Sequence, residues 1–159
     1  MTQLAAQSIL ALCNPVNSSR KPMIDPFVDH KVIQNGKSYG LSAASYDARI
    51  AHHLLLRPGE AALAYTVEDF FMPNNVVAYV VDKSTWARKF MSAMNTLIDP
   101  GFEGNLTLEL VNLGPNIISI QAGDPICQIA FHWLDQHTDR PYDGIYQHQT
   151  KAAHPARDE

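Results

Sequence analysis

From Ser45 onward the chain alternates short apolar runs with turn-forming residues. The runs are Ser45 to Ile50, Ala61 to Val67, Val76 to Val81, Leu106 to Val111, Ile117 to Ile120 and Ile126 to Trp133. Pro58 with Gly59, Pro73 with Asn74 and Asn75, Gly114 with Pro115, and Gly123 to Pro125 separate them. Runs of this length between turn residues read as strands, so the pattern predicts a mainly β domain, a barrel or sandwich. Ahead of it, Leu4, Ala5, Ser8, Ile9 and Leu12 fall at helical spacing, which predicts a short amphipathic helix over 2–13, stopped before Pro15. Asn14 to Lys21 and Gly36 to Gly40 read as loops. The last twenty residues, rich in Gln, His, Pro and charge, lack strand alternation. The expected organisation is one domain over 1–139 and a tail over 140–159.

One position breaks its own pattern. Leu106, Leu108 and Leu110 share a face of their run, which leaves Glu109 on the other face with Thr107 and Val111. A strand glutamate is ordinarily a solvent-facing residue. In a run otherwise apolar or Thr and Asn, it is also a candidate carboxylate for proton transfer.

Composition narrows the classes. At 159 residues and 46% hydrophobic, the chain can bury one core and is short for two. A net charge of −4 gives no global basic surface for a nucleic-acid backbone, so a free nucleotide is the better polyanion. No apolar run approaches the roughly 20 residues of a membrane span, and the start lacks a charged region followed by a cleavage site. A soluble, cytoplasmic protein is expected. Cys13 and Cys127 fit neither a disulfide framework nor a zinc knuckle and read as small buried apolar residues.

Lys83, Ser84, Thr85, Trp86, Ala87 and Arg88 form a turn-to-helix step with hydroxyls at its start and cations on either side. Ser84 reads equally as an N-cap. Arg88 lies about one helical turn further on, so the two can face a common anion. Asp99 sits in a turn made by Pro100 and Gly101, where a carboxylate can simply bond its own backbone. The paired cysteines and nearby His of the zinc deaminases are absent, and adjacent His52 and His53 would point to opposite faces of a strand.

Taken in order, these pieces resemble the dCTP deaminases, which share a fold with the trimeric dUTPases. The similarity runs through Ile24 to Phe27, Ser45, Tyr46, Asp47 and Arg49, and Pro58 to Glu60. It continues through Ser84, Thr85, Ala87 and Arg88, Ile98 to Gly101, Leu108 with Glu109, Gln128, and Tyr142, Tyr146 and Gln149. The resemblance implies a homotrimeric, distorted β-barrel with short helices (the β-clip, dUTPase-like fold) and sites at subunit interfaces. It implies that Glu109 is the general base for water attacking carbon 4 of a deoxycytidine nucleotide, most simply dCTP, with release of ammonia. Arg88 and Ser84 would complete the catalytic set, and Lys83 and Thr85 would lie by the phosphates. Asp99 would meet the sugar, Phe102 would pack on the deoxyribose, and Tyr142, Tyr146 and Gln149 would close over the nucleotide. Magnesium is implied as an ion carried on the substrate phosphates. A dUTPase, a bifunctional enzyme giving dUMP and pyrophosphate, and a non-catalytic nucleotide-binding regulator are the alternatives. Three departures stand out: Ile145 where a Lys is usual, Asp82 where a Gly is usual, and a segment from Arg88 to Ile98 about two residues short. The first two remove a cation from the expected phosphate site and add an anion to it.

Overall fold

The computed structural model of the chain describes residues 2–14, 20–94 and 96–157. In chain order the elements are β1 (Thr2–Gln3), α1 (Ala6–Cys13), β2 (Ile24–Asp25), β3 (Lys31–Gln34), β4 (Lys37–Leu41), β5 (Tyr46–Arg49) and β6 (Leu54–Leu56). Next come β7 (Ala61–Phe71), β8 (Val76–Asp82), α2 (Ser84–Ala87), β9 (Met91–Ala93), β10 (Leu97–Ile98), β11 (Glu103–Asn112), β12 (Ile118–Ile120) and β13 (Pro125–Trp133). One sheet runs β10-β8-β13-β5-β4-β3 with β1 also on β13, a second runs β2-β7-β11-β9, and β12 pairs with β6. All six predicted apolar runs contain strands, and the mainly β class with short helices holds.

Two expectations about local structure are corrected. The helix begins at Ala6, four residues later than expected, because Thr2 and Gln3 pair with Trp133 and His132 at a sheet edge. The backbone N–H of Asn14 then closes the helix on Leu10. Gly36 to Gly40 is not a loop but the turn and return strand of the β3–β4 hairpin. Asn35 and Gly36 both have positive φ, 50° and 71°, the conformation of a two-residue type I′ turn that Asn-Gly favours. Of the expected loop over Asn14 to Lys21, residues 15–19 lie outside the described residues.

The core fills the space between the two large sheets. Tyr46, Ile50, Leu56, Phe70, Ile129 and Phe131 are fully enclosed, and α2 contributes Trp86, whose indole N–H donates to the Pro125 carbonyl at 2.6 Å. Cys13 and Cys127 are free and buried, as expected, and burial pushes the Cys13 thiol up to about 12. One core carboxylate had no sequence signal. Glu68 is wholly buried, accepting from the Arg49 guanidinium at 2.7 Å and from the Arg49 backbone N–H at 2.9 Å. Burial pushes its carboxyl above the usual range, against the pull of Arg49.

Candidate active site

β11 delivers the first group. Its alternation is as read: Leu106, Leu108 and Leu110 are buried while Thr107, Glu109 and Val111 are half-buried on the opposite face. A register shift opposite Thr66 interrupts the ladder between Asn105 and Thr107, and the Thr66 hydroxyl takes over the Leu106 N–H at 3.0 Å. No described residue reaches the Glu109 side chain with a hydrogen bond or ion pair. It opens into a cavity of about 360 Å³, a volume that suits a small ligand.

The turn before β11 supplies the second group. The Phe102 N–H bonds the Asp99 carbonyl at 3.2 Å, and the Gly101 N–H bonds Met72 at 3.1 Å, which sets Asp99 at the cavity wall. Phe102 is buried edge-on to Tyr142, ring centres 5.8 Å apart. Gly101 of this turn and Gly104 of β11 both serve the tail. At Gly101 (φ 85°) an added Cβ would come within 2.6 Å of Pro141, and at Gly104 (φ 138°) within 2.8 Å of the Gln149 backbone nitrogen. The tail lies directly on them: Tyr142 N–H bonds Pro100 at 2.8 Å, and Gln149 bridges Gly104 in parallel.

Gln147, which the sequence did not mark, fastens this segment. Its amide donates to the carbonyls of Gly101 (2.8 Å) and Tyr142 (3.1 Å) and accepts from the Glu103 N–H (2.8 Å). Thr107 donates to Gln149 at 2.9 Å and accepts from the His154 N–H at 3.2 Å. The Tyr146 hydroxyl accepts from the Arg157 N–H at 3.0 Å. Asp99, Phe102, Glu109, Tyr142, Tyr146 and Gln149, six of the ten expected site residues, thus line one cavity, with Leu63, Thr96, Leu97 and His154 among its other walls. Alternation had placed Thr107 beside Glu109. His154 carried no sequence signal, since its place depends on the fold of the tail.

Lys83, Ser84, Thr85 and Arg88 do not line this cavity. Ser84 and Arg88 are exposed, and no described residue holds their side chains. Ser84 is not the N-cap: Lys83 holds that position, with no side-chain cap bond. Lys83 is buried, its ammonium 2.6 Å from Asp47. Burial pushes the Asp47 carboxyl up, and the Lys83 hydrogen bond and charge pull it down. The other oxygen of Asp47 is buried with no hydrogen-bond partner among the described residues. In this chain Lys83 neutralises a core carboxylate instead of facing the cavity. Asp82 likewise does not add a free anion. Its carboxylate accepts from the Ala93 N–H at 2.7 Å and from the Ser92 hydroxyl at 3.1 Å.

The cavity therefore offers two carboxylates and aromatic walls but no lysine or arginine among its lining residues. Among the described residues no group of three or more His, Cys, Asp or Glu could hold a metal, and no helix is long and apolar enough to cross a membrane.

Comparison with known proteins bears on the family and the fold. Residues 28–134 match the dCTP deaminase-like family. A dCTP deaminase of Wolbachia sp. subsp. Brugia malayi is 33% identical over 152 residues, covering 77% of this chain and 82% of that protein. A Methanosphaera stadtmanae protein, named dCTP deaminase, dUMP-forming, is 34% identical over 137 residues, covering 82% of this chain and 66% of that protein. In fold, the dUTPase of Staphylococcus aureus phage phi11 superposes with a TM-score of 0.57 at 17% identity, over 77% of this chain and 96% of its own. The dUTPase of EIAV gives 0.53 at 19% identity, over 64% and 84%. With a family match over more than half its length and such relatives, the chain belongs to the dCTP deaminase family.

Proposed function

We propose that the protein hydrolyses the exocyclic amino group of a deoxycytidine nucleotide, dCTP, giving the deoxyuridine nucleotide and ammonia. The observation that carries this reading is the convergence of Glu109, Asp99, Phe102 and the tail in one cavity. The half-buried Glu109 carboxylate, uncommitted to any described side chain, is free to act. It accepts a proton from water as the water adds to carbon 4 of cytosine, and returns a proton to the departing amino group. Asp99 meets the sugar, and Phe102, held by Tyr142, presents a flat apolar face that disfavours an added ribose hydroxyl. Tyr146 and Gln149 cover the nucleotide and exclude water, which strengthens the charge interactions beneath.

The cations come from elsewhere. A cavity without lysine or arginine cannot by itself balance a triphosphate, while Ser84 and Arg88 stand exposed on α2 of the same chain. In a homotrimer, α2 of a neighbouring copy completes the site, with Arg88 orienting Glu109 and facing the substrate. Magnesium, if carried on the substrate phosphates, would neutralise charge there. Glu109 is the residue of this chain that handles the proton.

A second reading has its own support. Asp99 suits a dUTPase step as well, and one relative is named as dUMP-forming. Incubation with dCTP and magnesium, following ammonia and pyrophosphate separately, tests both. Ammonia without pyrophosphate is the expected result. Both products together would make the enzyme bifunctional, and no ammonia would reject deamination.

A further inference from the structure

The segment joining the two large sheets is short and crosses between them within a few residues. Ser92 and Ala93 pair with Val111 and Leu110 of β11. The Met94 N–H bonds the Glu109 carbonyl at 2.8 Å. Thr96 accepts from the Val80 N–H at 3.0 Å, and Leu97 pairs with Tyr79 of β8. Thr96, Leu97 and Ile98 then become cavity wall.

Asp82 closes this segment. It stands at the end of β8, immediately before α2, and both its oxygens face β9. One accepts from the Ala93 N–H at 2.7 Å and from the Ser92 hydroxyl at 3.2 Å, and the other accepts from the same hydroxyl at 3.1 Å. The carboxylate thereby pins the two ends of the loop that carries Ser84 and Arg88. It also fixes the residue next to the one bonded to the Glu109 backbone.

We propose that Asp82 is a positioning residue of the deamination site, holding the α2 loop and the Glu109 strand in one fixed relation through β9. This rests on the function proposed above. Its basis is geometric and needs no charge at the phosphates: an oxygen acceptor aimed at Ala93 suffices. Asparagine can supply that acceptor and glycine cannot, so the two substitutions separate the clamp from the charge.

The test compares Asp82→Asn, Asp82→Gly and Ser92→Ala by steady-state kinetics with dCTP and by amide hydrogen exchange without substrate. Asp82→Asn is expected to keep kcat within about threefold and to leave exchange at Ala93 and Met94 unchanged. Asp82→Gly is expected to lower kcat about tenfold to a hundredfold with little change in KM, and to speed exchange at those two amides. Ser92→Ala, which removes the hydroxyl and keeps the Ala93 bond, is expected to lower kcat about twofold to tenfold. It also serves if the glycine variant does not fold. Equal effects of Asn and Gly, with tighter dCTP binding in both, would overturn the clamp in favour of a charge effect. Unchanged exchange and kcat in the glycine variant would overturn it outright. If the unsubstituted protein released no ammonia, deamination itself would fail, while the exchange rates would still uphold or refute the clamp.

Discussion

The cavity around Glu109 and the turn at α2 carry the two halves of the expected site, and they are held in different ways. In the cavity, Phe102 is wedged by Tyr142, the tail lies across Gly101 and Gly104, and Gln147 ties three backbone groups together. At α2 the core takes Trp86 and Lys83, and leaves Ser84 and Arg88 pointing outward. One region is assembled and packed within the chain but lacks a cation, and the other presents an exposed cation to a surface. Under the proposed trimeric arrangement, that exposed half is the one a second copy would supply.

The largest expected effect separates chemistry from binding within the cavity. Glu109→Gln keeps the shape but cannot take the proton from water, so ammonia release should fall about a hundredfold to ten-thousandfold. Nucleotide affinity by calorimetry should stay within a few-fold. A variant releasing ammonia at the original rate would remove Glu109 from the mechanism.

How far these regions were legible in the sequence follows from the range of the interactions. Glu109 stood out because strand alternation is local, and β11 keeps its period from Leu106 onward, past the irregularity. Asn35-Gly36 was equally local, but β3 is mostly exposed and β4 mostly half-buried, so no apolar run drew attention to the hairpin. Lys83 could not be assigned from its neighbours, since its partner Asp47 is 36 residues away. Glu68 and Arg49, 19 residues apart, were hidden for the same reason. Gly101 read as a turn residue and Gly104 carried no reading, and only the packed tail reveals that a side chain at either would collide with Pro141 or Gln149.

The next effect sharpens the contrast at α2. Lys83→Met should destabilise the fold by about 3–5 kcal/mol in chemical denaturation, because Asp47 keeps its charge with no partner. The sign with pH is fixed. Burial already raises the Asp47 carboxyl, so its ionised form opposes folding, and that opposition disappears once the group is protonated. The deficit of the variant should therefore narrow as pH falls through the raised folded value. A variant of unchanged stability with weakened dCTP binding would return Lys83 to the phosphates.

A smaller effect probes the departure at Ile145, which is partly exposed beside Tyr146. Ile145→Lys places one cation near the cavity, worth about 1 kcal/mol toward a phosphate at a partly solvated site, or roughly fivefold in affinity. Calorimetry should show tighter dCTP and unchanged deoxycytidine. Equal tightening of both would mean that the lysine acts on the tail and not on the phosphates.

The division of the site between copies is tested most directly by mixing two inactive variants. Glu109→Gln and Arg88→Ala are each expected to lose deamination when purified alone. Co-refolded in equal amounts, they should recover activity, because a site built from Glu109 of one copy and Arg88 of another has both native residues in about a quarter of random pairings. Recovery approaching that fraction, in particles carrying both variants, is the predicted result. No recovery in verified mixed particles, or full activity in a monomer, would contradict it and require one chain to supply both residues.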